Sequence, residues 1–325
     1  MSPAAAVRTE GLTKHFGAVT ALRDLDLEIA PGEVFGYLGP NGAGKTTTIR
    51  LLLGLAQPSA GRAEVFGLDC RHQSVEAHRH LAYVAGEANL WPSLTGAETL
   101  HLLGRVQGRV DGAYRDQLVE RFELDPSKKV RQYSKGNRQK LALIAALMSR
   151  ADLLVLDEPT SGLDPLMEQT FRQCAHEARR RGQTVFLSSH ILSEVEALCD
   201  RVGILRNGVL VEMGALSDMR HLSALSVEAT FDGPVPDLST VPGVSALEVA
   251  GNVARCHVHG PIEPLLKVLA AAGVKELLSQ EPSLEQLFLA HYGTGPAPAS
   301  PERRPTVTAP TGATPTVVGP SPGPP

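Results

Sequence analysis

The chain has 325 residues, 42% apolar and 20% charged, with a formal net charge of −4. That composition supports about two globular domains and argues against a chain that coats nucleic acid through bulk positive charge. The longest strictly apolar run, Leu141–Met148, is eight residues long, where a membrane-spanning helix needs about 20. Met1–Arg8 lacks the apolar core of a signal peptide, so a cytosolic chain is expected. The four cysteines, Cys70, Cys174, Cys199 and Cys256, form no CxxC pair. They read as small buried hydrophobes or surface thiols rather than as a zinc site or a disulfide framework.

From Val7 to about Leu222, short strands alternate with helical stretches. Glu33–Leu38 is a compact apolar strand that runs into a glycine-rich loop, and Leu153–Leu156 and Thr184–Ser188 are further strands. Unbroken apolar character suits strands covered on both faces. Helical patterns fall at Thr46–Leu55, Arg138–Met148, Leu166–Arg181 and Ile191–Asp200, so an α/β layered domain with parallel strands is predicted. A mostly helical insertion starts near Glu87. There Thr95-Gly-Ala-Glu98 is a capping box opening a helix through Val106, and Asp111 caps a second helix with Leu118, Val119 and Phe122 on one face. From about Ser223 the pattern changes. Ser226–Phe231 alternates, and Val244–Val249 and Val253–Val258 flank Ala250-Gly-Asn252 as a hairpin. A helix is expected over Ile262–Ala272, a strand over Val274–Leu278, and a last helix from the capping box Ser283-Leu-Glu-Gln286 to Tyr292. Thr294–Pro325 holds ten of the 24 prolines and reads as a disordered tail.

Two motifs carry chemistry. Gly39-Pro40-Asn41-Gly42-Ala43-Gly44-Lys45-Thr46 fits G-x-x-x-x-G-K-[ST] between a strand and a helix, with Thr47 next on that helix. Glycines let successive N–H groups converge on an anion, the helix adds its positive end, Lys45 supplies a point charge, and the Thr46 hydroxyl is a Mg²⁺ ligand. Leu153–Leu156 then delivers two carboxylates to a strand end, where ligands of open α/β sheets bind. Asp157 would hold Mg²⁺ and Glu158 would deprotonate the attacking water. His190 closes the strand from Thr184; a histidine there is either structural or merely exposed, or stands where it can donate to a γ-phosphate.

In this order, these residues resemble the nucleotide-binding subunit of an ABC transporter over about Val7–Leu222. Ser161-Gly-Leu-Asp164 follows Glu158 as the family's D-loop does, and His190 stands where its switch histidine stands. Phe16 matches the aromatic that stacks on adenine. Tyr133-Ser134-Lys135-Gly136-Asn137 takes the place of the signature LSGGQ, ahead of the helix from Arg138. The resemblance implies a P-loop ATPase fold, α/β, over residues 1–222, with a helical subdomain over about 87–150. A small C-terminal α+β accessory domain over 223–293 and the tail 294–325 complete the division. It implies ATP and Mg²⁺ as ligands. It also implies a homodimer or heterodimer in which Ser134, Lys135, Gly136 and Asn137 read the ATP of the opposite subunit.

Two departures stand out. Lys135 replaces the first signature glycine; it either adds a cation near the trans phosphate or points to solvent. The glutamine expected after Ala82-Tyr-Val-Ala85 is absent, and Gly86 and Glu87 stand there, with Glu87 as a substitute metal ligand or the coupling altered. Trp91 lies just beyond, on the surface that receives a permease helix in the family or in the core. The end of the chain and the Tyr-Ser-Lys-Gly variant are similar to ATPases of ABC-2 type drug and antibiotic exporters. A separate ABC-2 permease, the cytoplasmic face of the membrane and a polyketide antibiotic or drug-like cargo are the implied setting. A non-transport ABC ATPase and an import ATPase are the alternatives.

Overall fold

Three short segments are buried at every residue: Val34–Leu38, Leu153–Asp157 and Thr184–Ser189. Only strands covered on both faces show this, and they form the middle of the architecture. A computed structural model of the chain describes residues 5–108, 111–221 and 225–280. In chain order the elements are β1 (Val7–Phe16), β2 (Val19–Ile29), β3 (Val34–Leu38), α1 (Lys45–Leu52), β4 (Ala60–Val65), β5 (Leu68–Asp69), α2 (Ser74–His78) and β6 (Leu81–Val84). Next come α3 (Gly96–Gln107), α4 (Gly112–Arg121), α5 (Lys135–Met148), β7 (Leu153–Asp157), α6 (Pro165–Arg180), β8 (Thr184–Ser189) and α7 (Leu192–Leu198). Then follow β9 (Arg201–Arg206), β10 (Val209–Ala215), α8 (Leu216–His221), β11 (Leu225–Phe231), β12 (Val244–Ala250), β13 (Val253–Val258), α9 (Glu263–Ala271) and β14 (Val274–Gln280).

The central sheet has the order β10-β9-β3-β8-β7-β6, parallel except for the β9–β10 hairpin. Its residues alternate between two cores. Leu154, Leu156, Val185 and Leu187 pack with Leu141, Ile144, Leu118 and Phe171 from the helices. Leu153, Val155, Phe35, Tyr37 and Phe186 pack on the other side with Leu12, Leu22, Leu25 and Ile49. The second layer contains an antiparallel sheet, β2-β1-β4-β5, which the alternation of strands and helices did not reveal. The predicted α/β class therefore holds, with this extra sheet as a correction to a purely parallel reading.

Capping follows the sequence closely. Thr95 accepts from Glu98 N while the Glu98 carboxylate accepts from Thr95 N, and Asp111 accepts from Tyr114 N at the start of α4. A third sheet, β12-β13-β11-β14, is antiparallel and has its own core of Val227, Phe231, Ala254, Val258, Leu265 and Leu269. The expected helix at 283–292 and the tail 294–325 lie outside the described residues. Among the described residues no helix is long and apolar enough to cross a membrane.

Candidate functional site

Parallel register brings the chemistry to one edge. Leu38 at the end of β3 pairs with Ser189 of β8, and Ser188 pairs with Asp157 of β7. The loop after β3, the Asp157–Glu158 turn and His190 therefore leave the sheet side by side. Gly44 caps α1 in the left-handed region (φ 114°), and a Cβ there would lie 2.7 Å from the Ala21 carbonyl oxygen, so only glycine fits. The first turn of α1 carries no acidic residue, which leaves the positive helix end uncompensated by its own side chains.

Lys45 is 5% exposed and donates from Nζ to the Gly39 carbonyl at 2.6 Å. Burial pushes its ammonium below the ordinary lysine value, and the Glu158 and Asp157 carboxylates oppose that shift. Thr46 Oγ1 donates to Asp157 Oδ2 at 2.9 Å, and Ser188 Oγ donates to Asp157 Oδ1. Glu158 Oε1 lies 3.7 Å from Lys45 Nζ and 3.1 Å from His190 Nδ1. Glu158 sits in the left-handed region (φ 48°), a conformation that costs a non-glycine residue about 1–3 kcal/mol. It is held there by Glu158 N donating to the Ser188 carbonyl at 3.0 Å and Ser161 N donating to the Glu158 carbonyl at 3.1 Å. Lys45, Thr46, Asp157, Glu158 and His190 thus form one connected cluster.

The other sequence-predicted residues occupy defined places around it. Asn41 and Gly42 are exposed, while Gly39 and Ala43 are buried. Phe16 is 51% exposed with Lys14 Nζ 4.8 Å from its ring centroid. The helix expected from Arg138 begins instead at Lys135, because the Ser134 side chain accepts from Asn137 N as its cap. Lys135, Gly136 and Asn137 are therefore the first turn of α5. Lys135 Nζ donates to Ser161 Oγ at 3.0 Å, and a Cβ on Gly136 would lie 2.5 Å from the Gly162 carbonyl oxygen. Within the chain the signature turn packs against the Ser161–Asp164 loop. Asp164 caps α6 by accepting from Met167 N at 3.0 Å. Glu87 is exposed and makes no hydrogen bond or ion pair with Thr46 or Asp157 among the described residues, whereas Gly86 lies beside the Asp157 carbonyl and Glu158 Cβ. Trp91 is 49% exposed, which removes the core reading.

The sequence reading missed the supporting hydroxyls. Ser188, Ser189 and Thr160 are buried polar residues around the turns that carry Glu158 and His190. The Ser188-Ser189-His190 run at a strand end was the available signal. The ABC transporter family model matches residues 22–161. The bacitracin transport ATP-binding protein of Bacillus licheniformis is 38% identical over 209 residues, covering 63% of this chain and 68% of that one. The linearmycin resistance ATP-binding protein of Bacillus subtilis is 31% identical over 302 residues, covering 87% and 97%. A solved ATP-binding subunit of an ABC transporter superposes with a TM-score of 0.62 at 31% identity, covering 66% of this chain and 92% of that one. Identity at this level over most of the relatives' lengths places the protein in the ABC transporter family, as one of its ATP-hydrolysing, ATP-binding members.

Proposed function

We propose that the chain powers export of a drug-like or antibiotic compound through a separate ABC-2 type permease, from the cytoplasmic face of the membrane. The relatives named for bacitracin transport and linearmycin resistance support that reading. The observation that carries the hydrolytic part is the Glu158 carboxylate, within 3.1 Å of His190 and 3.7 Å of Lys45.

The geometry and the family resemblance support the following roles. The 39–46 loop and the start of α1 bind the phosphates, and Lys45 neutralises charge on them. Phe16 stacks on the base. Thr46 Oγ1 and Asp157 Oδ2 are hard oxygens 2.9 Å apart, the donor type Mg²⁺ takes, so Thr46 would hold it directly and Asp157 through water. When bound there, Mg²⁺ would supply charge neutralisation to the phosphates. Glu158 takes a proton from the attacking water, and His190 holds a γ-phosphate oxygen. Ser134 and the first turn of α5 form a second anion site, which in a dimer serves the ATP of the partner subunit.

The test is Glu158→Gln. ATP binding is expected to persist while kcat falls by roughly 10²–10⁴. Turnover within about threefold of wild type removes Glu158 as the base.

A further inference from the structure

Glu194, on α7, ties together the two turns that carry Glu158 and His190. Its Oε1 accepts from Thr160 Oγ1, two residues past Glu158. Its Oε2 accepts from Ser189 Oγ at 2.6 Å, one residue before His190. The same Ser189 Oγ accepts from Ile191 N at 2.9 Å, one residue after His190. Ser189 is 1% and Thr160 8% exposed, so both hydroxyls meet the carboxylate out of bulk water. Hydrogen bonds to an ionised acceptor are roughly twice as strong as neutral ones. Thr160 and Glu194 also line a small cavity together with Phe171, Leu187 and Leu198.

We propose that Glu194 is a positioning residue for hydrolysis: one carboxylate fixes the general base relative to the γ-phosphate histidine. It touches none of the reacting atoms and acts through Thr160 and Ser189. The need is geometric. Glu158 and His190 both stand just beyond the strand ends, Glu158 with φ 48°, and their side chains meet at 3.1 Å. A misplacement of about 1 Å at such a site costs on the order of 10²-fold in rate. This inference rests on the assignment of Glu158 and His190 above.

The experiment measures steady-state ATPase on the full chain. Glu194→Ala is expected to lower kcat about 10- to 100-fold with KM for ATP within about twofold. Glu194→Gln recovers most of that loss, because the amide oxygen accepts from Thr160 and its N–H donates to Ser189. In a His190→Ala background, Glu194→Ala costs less than about threefold, since there is no longer a histidine to place. A Glu194→Ala rate within about threefold of wild type overturns the proposal, as does an equal loss in both backgrounds. Should Glu194→Ala not fold, Thr160→Val removes one of the two bonds at nearly constant volume. Its expected loss is severalfold with the same dependence on His190, and an unchanged rate overturns the proposal. Retained turnover in Glu158→Gln would instead refute the base assignment, whatever Glu194 does.

Discussion

Gly86 occupies the place where the family pattern expects a glutamine, and its surroundings explain what a side chain there would meet. A Cβ at residue 86 would lie 3.3 Å from the Asp157 carbonyl oxygen and 3.7 Å from Glu158 Cβ. The first contact is tight but calls for a shift of only a few tenths of an ångström. Gly86→Gln therefore sets an amide beside the Asp157–Glu158 turn and adds a neutral oxygen near the proposed Mg²⁺ ligands. The expected outcome is a lower Mg²⁺ concentration for half-maximal ATPase; an unchanged Mg²⁺ titration shows that the glycine is neutral. Lys135 follows similar reasoning. Its Nζ bond to Ser161 Oγ, and its methylenes so close to Gly162 that a Cβ there would lie 3.4–3.7 Å from them, make it a strut between the α5 turn and the Ser161–Asp164 loop.

Among the elements, the three apolar cores share no residue, and this has a measurable consequence. Leu265 of α9 is 1% exposed against the third sheet, and truncating a buried leucine costs about 2–5 kcal/mol. Leu265→Ala is expected to lower hydrogen-exchange protection over 225–280 while ATPase stays within about twofold; loss of ATPase in parallel would show that the site depends on that sheet. The elements most legible in the sequence were those with a strong local signal. Thr95–Glu98 and Asp111 announced α3 and α4 through their caps, and Ala250-Gly-Asn252 announced the β12–β13 hairpin. The antiparallel β2-β1-β4-β5 sheet was hidden because β1 shifts register between Thr9 and Leu12 and again beyond it, which breaks the period of two that marks a strand. The start of α5 was hidden by Gly136, a poor helix former that the close approach of Gly162 requires. In the site, the phosphate loop and Asp157-Glu158 were readable as contiguous motifs. The hydroxyls of Thr160 and Ser189 and the carboxylate of Glu194 were not, because only the fold makes them neighbours.

At the scale of the whole molecule, the 325 residues carry one phosphate loop and one signature turn, and the proposed mechanism pairs each with its counterpart from a second copy or a partner subunit. Glu158→Gln with ATP is expected to elute as a dimer that reverts to monomer on nucleotide removal; a monomer at saturating ATP counts against the proposed trans-acting site at Ser134. Strand order also sets when the nucleotide site comes into being. The strand that leads into the phosphate loop is an early piece of chain, yet its neighbours β8 and β9 begin at Thr184 and Arg201, and Val34 pairs with Val185. At roughly 5–20 residues per second of synthesis, the loop waits on the order of 10–30 s for the strands that will flank it. Until then the nascent chain carries a nearly all-apolar β3 without either of its strand neighbours, so slowed translation or chaperone depletion is expected to change the yield of folded subunits.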